Sequence, residues 1–177
     1  MEELSYLIRA GQIKDQPHEY QLKADKSQCA ALAKRFGLES IPRLEGHFRL
    51  KHERSGIISA ALTMQADVEQ ICVVTLEPFE EHIAEQTILR FVPLFMLSRK
   101  EGESDEEEDI TPESLDSPDE IPYENDQIDL GAALSEQLAL ALNPYPRKPG
   151  ASLPDEASDK SAHPFAALAA KLNKKTQ

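Results

Sequence analysis

The longest regular pattern in the chain runs from Gly56 to Phe79, GIISAALTMQADVEQICVVTLEPF. Ile58, Ala60, Leu62, Met64, Ala66 and Val68 fall on alternate positions and leave one face almost free of polar side chains. On the other face Ile57, Ser59, Ala61, Thr63 and Gln65 give way to Asp67 and Glu69. A period of two with one apolar side predicts a half-buried strand, or a pair of strands, with a core beneath and water above. The same alternation precedes it in IPRLEGHFRLKHER, residues 41–54. There Leu44, Phe48 and Leu50 share a side with Gly46, whereas Arg43, Glu45, His47, Arg49 and Lys51 share the other, and Arg54 follows near the turn. Ser5 to Ile13 predicts a first strand with a bend at Gly11, and Ile83, Thr87, Leu89 and Phe91 a later one that Pro93 interrupts.

Elsewhere the period changes to that of a helix. In QLKADKSQCAALAKRFGL the residues Cys29, Leu32, Ala33 and Phe36 line one side, with Ser27 as N-cap, Lys34 and Arg35 in the last turn and Gly37 as C-cap. In IDLGAALSEQLALALNPYP, Asp129 serves as N-cap and Leu130, Ala133, Leu134, Gln137, Leu138, Ala141 and Leu142 form a stripe that stops at Asn143 and Pro144. The chain closes on HPFAALAAKLNKKTQ, where Phe165, Leu168, Ala169 and Leu172 predict an amphipathic helix over 164–173, with Lys171, Lys174 and Lys175 around its end. A helix this short is marginal alone in water and needs a surface, on its own domain or on a partner. Phe165, Leu168, Lys171 and Leu172 are therefore the candidate partner contacts.

These elements predict an α+β fold: a bent antiparallel sheet with two packed helices, an acidic disordered insertion and a short C-terminal helix. Residues 1–144 form the single domain, and 145–177 form a flexible tail. A chain of 177 residues is long enough for one such core. With 6% aromatics and no Trp, that core is built of Leu, Ile, Val and Ala.

Charge alters the picture only when taken by segment. Residues 1–100 carry 13 Lys and Arg against 14 Asp and Glu; residues 101–142 carry none against 15; residues 143–177 carry 6 against 3. The net of −13 therefore resides almost wholly in one run, EGESDEEEDITPESLDSPDE and its sequel, and the body of the chain is near neutral. Residues 101–127 lose apolar periodicity and read as a mobile acidic loop, since such composition buries too little to offset ordering entropy. An acidic isoelectric point of 4.8 thus does not exclude nucleic acid as a partner.

Candidate chemistry is sparse. Arg43, His47, Arg49, Lys51 and Arg54 give one strand a basic outward face. Cations about 7 Å apart on such a face suit a phosphate backbone, and the same pattern also describes an ordinary solvated strand. No aromatic side chain on that face offers a base a stacking surface. Glu77, Glu80, Glu81 and Glu85 lie beside His82, yet HIAE is not HExxH and no second ligand pair has metal spacing. Cys29 and Cys72 form no CxxC, and Cys29 reads as a small buried hydrophobe. The opening MEELSYLIRAGQI is acidic with a short apolar run, unlike a usual secretory signal, and nowhere do eighteen apolar residues run together. The expectation is a soluble cytoplasmic protein without catalytic residue, metal, cofactor, small-molecule substrate or membrane partner.

ADVEQICVVTLEPFEEHI at 66–83, the acidic run followed by DQIDLGAALSEQLALALNPYP at 126–146, and PFAALAAKL at 164–172 stand in an order that resembles the YceD family, most closely its alphaproteobacterial branch. Bacterial and plastid members of that family are linked to accumulation or processing of large-subunit ribosomal RNA. The resemblance implies a non-enzymatic ribosome-biogenesis factor that supports large-subunit (23S) rRNA, with that RNA or a pre-ribosomal particle as partner. The alternative is an acidic chaperone for a basic ribosomal protein, with no RNA contact. Many relatives carry a CxxC pair where this chain has Cys72 and Thr75, and later cysteines where it has NPYPRKPGA, so the resemblance does not bring a structural zinc with it.

Overall fold

Alternation along residues 40–71 becomes a long antiparallel hairpin in the computed structural model, which describes residues 4–96 and 118–152. The strands are β1 (Leu7–Arg9), β2 (His18–Lys23), β3 (Ser40–His52), β4 (Ile58–Ile71), β5 (Pro78–Pro93), β6 (Asp119–Tyr123) and β7 (Gln127–Asp129). The helices are α1 (Lys26–Phe36), after β2, and α2 (Leu130–Ala141), after β7. Five strands form one sheet in the order β2-β3-β4-β5-β6, and β1 pairs with β7 in a second, two-stranded ribbon. The α+β architecture expected from the sequence is the one observed. The Gly56 to Phe79 stretch supplies one strand of fourteen residues, β4, and the turn beyond it.

The core lies on one side of the sheet. Leu44, Phe48, Leu50, Ile58, Ala60, Leu62, Met64, Ala66, Val68, Leu89 and Phe91 are all buried there, as alternation requires. Helix α2 covers the middle of this side through Leu130, Leu134 and Leu138, each fully buried and each worth about 1.5–3 kcal/mol of apolar transfer. Gly46 admits it: a Cβ at that position would stand 2.8 Å from Leu134 Cδ1. Asp129 caps α2 as expected, accepting from the backbone N–H groups of Gly131 and Ala132 at 2.9 and 3.0 Å.

Four features differ from the sequence reading. Helix α1 is capped by Asp25, not Ser27, because Asp25 and Gln28 complete a reciprocal capping box with bonds of 2.9 Å in each direction. Gly37 does close this helix, at φ +69°. The first strand is only Leu7–Arg9, and a 3₁₀ turn over Ala10–Gln12 takes the place of a bend within it. Strand β2, in the lead-in to α1, carries little apolar signal in the sequence because Leu22 is the one buried side chain of His18–Lys23.

The fourth difference corrects the extent of the acidic loop. Residues 119–123 within it form β6, which adds to Leu89–Pro93 of β5 in parallel, so the sheet is antiparallel only over its first four strands. Alternating Ile121 and Tyr123 supply the apolar side, and the Tyr123 hydroxyl donates to the Gly56 carbonyl at 2.7 Å. Arg90 lies 3.5 Å from Glu120, so an acidic strand gains a cationic neighbour. Residues 101–117, like the helix expected over 164–173, fall outside the described residues.

The tail also begins as a fixed strap. After α2 the chain crosses the β4–β5 turn, where Val73 N–H donates to the Pro146 carbonyl at 2.9 Å and Lys148 Nζ lies 3.0 Å from Glu77 Oε2. Beneath it the sulfur of buried Cys72 accepts from Thr75 N–H at 3.4 Å and from Lys148 N–H at 3.3 Å. A bond from the Thr75 side chain is the main cause that brings this thiol down to about 7, against the ordinary 9.0, and the backbone N–H groups of Thr75 and Lys148 add to it against the cost of burial. Cys29, by contrast, is pushed up by burial. Replacing Cys72 by alanine leaves two N–H donors without an acceptor, and amide exchange at Thr75 and Lys148 is expected to quicken roughly tenfold while α1 is unaffected. Hydrogen exchange read by mass spectrometry checks this, and unchanged protection of residues 145–150 would deny the sulfur its role.

Candidate nucleic-acid interface

The side of the sheet away from α2 is open to water. Arg43, Glu45, His47, Arg49 and Lys51 share it on β3, because their in-between neighbours Leu44, Gly46, Phe48 and Leu50 are buried. Register extends the face in rows: Arg49 is opposite Glu19 on β2 and Ala61 on β4, Lys51 is opposite Ser59, His47 opposite Gln21 and Thr63, and Arg43 opposite Asp67. Small residues on β4 make the middle of the face shallow. Arg54 lies in the 3₁₀ turn Arg54–Gly56 that joins β3 to β4, so it continues the line beyond Lys51.

Alternation brings these five side chains together on one side and at one turn, but their electrostatic states differ. Arg43 is already engaged: its Nε meets Asp67 Oδ2 at 2.9 Å and its guanidinium also stands 3.9 Å from Glu45. Asp67 in turn sits 2.7 Å from His82 Nδ1. That bond to His82 is the chief reason the Asp67 carboxyl lies below its ordinary value, with Arg43 helping against the cost of desolvation. Glu45 is likewise held low, first by its bond from Lys23, 2.9 Å away. His47 has Glu19 at 3.7 Å. Arg49, Lys51 and Arg54 form no ion pair among the described residues.

The sheet is therefore polarised along its strands. Arg49, Lys51 and Arg54, without an ion pair among the described residues, lie toward the β3–β4 turn, and Glu69, Glu77, Glu80 and Glu81 lie toward the β4–β5 turn. Between them Arg43, Glu45, Lys23, Asp67 and His82 form a neutralised belt. Sequence reasoning missed Lys23 and His82 as members of this belt, since cross-strand register, which joins residues far apart in the chain, carries no signal along one strand. Arg90 shares the open face but is occupied by Glu53 at 3.1 Å and Glu120 at 3.5 Å. Among the described residues no group of three His, Cys, Asp or Glu side chains is placed to hold a metal ion.

Residues 60–170 match the family described as "Large ribosomal RNA subunit accumulation protein YceD". The chain belongs to the YceD family. No curated protein and no solved structure matches it. The YceD match opens within β4 and takes in β5, β6, β7 and α2. All five basic residues, 43 to 54, precede it. The family description links the chain to large-subunit rRNA accumulation, while the basic rim belongs to the part of this YceD chain outside the match. No helix among the described residues is long and apolar enough to cross a membrane. The candidate contacts Phe165, Leu168, Lys171 and Leu172 lie outside the described residues.

Proposed function

We propose that this YceD chain is a non-catalytic factor in large-subunit rRNA biogenesis that touches RNA phosphate through the basic end of its open sheet face. The observation that carries the reading is the set of cations left without a carboxylate. Arg49, Lys51 and Arg54 lie at or beside the β3–β4 turn with no ion pair among the described residues, whereas the carboxylates near them are engaged elsewhere, Glu19 by His47 at 3.7 Å and Glu53 by Arg90 at 3.1 Å. Phosphate contact there releases counterions and needs no pocket, and the absence of an aromatic platform on the face makes it read backbone in preference to base. Arg43 belongs to the belt and positions it, so the contact set narrows to Arg49, Lys51 and Arg54, with His47 beside them on the same face.

Filter binding of the full chain to 23S rRNA fragments at several salt concentrations tests this. Arg49→Glu with Lys51→Glu is expected to weaken binding by about tenfold or more and to lower the salt slope by roughly 1–2, whereas Arg43→Gln leaves the slope unaltered. Equal slopes for wild type and the double variant would remove the proposal's support.

A second reading is favoured by the other end of the sheet. Ile71, Val73, Leu76 and Tyr145 are exposed around the β4–β5 turn, Leu76 at 76% and with φ +58°, and Glu69, Glu77 and Glu80 surround them. An apolar tip in an acidic ring suits a basic ribosomal protein. Leu76→Lys with Glu80→Lys is expected to abolish capture of such a protein under this reading. Under the first reading it leaves rRNA affinity intact or raised.

A further inference from the structure

Helix α2 keeps an apolar face turned away from the sheet. Ala132, Ala139 and Leu140 are exposed there, Leu140 at 68%, and Glu136 is the single charged residue among them. Beside this face runs a groove of about 250 Å³ between α2 and β5, lined by Leu62, Met64, Glu85, Thr87, Gln137 and Leu140. The groove stays open because β6 pairs only with Leu89–Pro93; residues 78–88 of β5 have no outer neighbour among the described residues. An apolar helix face and a bare strand edge side by side are a surface that a domain ordinarily covers.

We propose that the segment 164–173 of the same chain covers it, lying along α2 as a second helix beside the edge of β5. Its sequence PFAALAAKLN presents Phe165, Leu168 and Leu172 as the apolar stripe, and its alanines allow the close approach that Ala132 and Ala139 also permit. Charge agrees: Glu85 and Glu136 border the surface, and Lys171, Lys174 and Lys175 end the segment. With Phe165 seated on Leu140 in the antiparallel sense, Lys171 comes within side-chain reach of Glu136.

Reach is also sufficient. The strap holds residues 146–148 next to the β4–β5 turn, near the end of α2, and the residues between Ser152 and Pro164 span up to about 35–40 Å when extended, against about 18 Å for the length of α2. A tether of this length keeps the segment at an effective concentration in the millimolar range, so weak contacts suffice for docking. The YceD match also runs to residue 170, placing most of the segment in the same family unit as α2. This inference does not depend on RNA binding.

Methyl NMR on the full chain at low concentration tests it. Cross-peaks are expected from the Leu168 and Leu172 methyls to those of Leu140 and Thr87. Leu168→Asp abolishes them and shifts the Leu140 signals, while the signals of buried Leu134 stay in place and report an intact core. Lys171→Glu weakens the cross-peaks, and adding Glu136→Lys restores them. Absence of the cross-peaks, or Leu140 signals identical in wild type and Leu168→Asp, overturns the proposal. So do cross-peaks seen only between differently labelled chains, which assign the surface to a second copy.

Discussion

Gly131→Ala is expected to destabilise the fold by about 3 kcal/mol, near the upper end for overpacking, and to lower the urea midpoint without changing the steepness of the transition. Gly131 is the second residue of α2 and is buried. A Cβ built there stands 2.8 Å from Leu4 O, from Ser5 Cα and from Tyr6 N, all backbone atoms of the N-terminal segment that enters β1. Backbone cannot rotate away as a side chain can, so either the segment or the helix must move. The segment is fastened by Leu130 N–H to the Tyr6 carbonyl at 2.9 Å and by the pairing of Leu7–Arg9 with Gln127–Asp129. Moving the helix instead would draw Leu130 and Leu134 out of the core. Gly46→Ala is the informative comparison, because there the new Cβ meets the Leu134 methyls at 2.8 and 2.9 Å and a leucine can change rotamer. It is expected to cost about 1 kcal/mol. A Gly131→Ala midpoint no lower than that of Gly46→Ala would show that the N-terminal segment yields freely.

How far the chain announces this arrangement depends on whether the signal is local. The strands β3 and β4 were legible because one face meets a core and the other water, so each position declares its side. The N-cap of α2 and the glycine that ends α1 were legible for the same reason, since a cap bonds within one turn. Asp25 was not, because Ser27 stands nearby and only the reciprocal bond with Gln28 decides between them. Strand β6 was masked by its composition: in an acidic, proline-bearing run, Ile121 and Tyr123 are too few to declare a period, and what orders them is Arg90 and Gly56 on distant elements. The candidate interface shows both sides of this rule. Alternation placed Arg43 and Arg49 on one face, yet the sequence does not reveal that Asp67, brought by register and shared with His82, neutralises the first and leaves the second without an ion pair.

Asp129 carries the other large effect, because one carboxylate serves two elements. Beyond capping α2 it accepts from the Ser5 hydroxyl at 2.6 Å and from Tyr6 N–H at 2.8 Å, so it fixes the start of the helix to the segment that Gly131 touches. Burial pushes its carboxyl up, but the bonds from Ser5, Tyr6, Ala132 and Gly131 together outweigh burial and hold it below the ordinary 3.8. Asp129→Ala is expected to cost about 2 kcal/mol, roughly half from the cap and half from the lost bonds to Ser5 and Tyr6, whose partly exposed positions let water replace some of what is removed. Asp129→Asn keeps the capping oxygen and loses the charge, so it costs less, about 1 kcal/mol. The sign of the pH dependence follows from a lowered folded value: the carboxylate's contribution is complete above the unfolded value near 3.8 and disappears as pH falls through the lower folded one. Urea midpoints of wild type and Asp129→Asn are therefore expected to differ by a constant amount from pH 7 to pH 5 and to converge below about pH 4. Because both proteins retain Glu45 and Asp67, whose depressed carboxyls also favour the fold above the acid range, the difference isolates Asp129. A gap that widens on acidification would mean that the protonated carboxyl is the stabilising form and that burial, not the four donors, governs this junction.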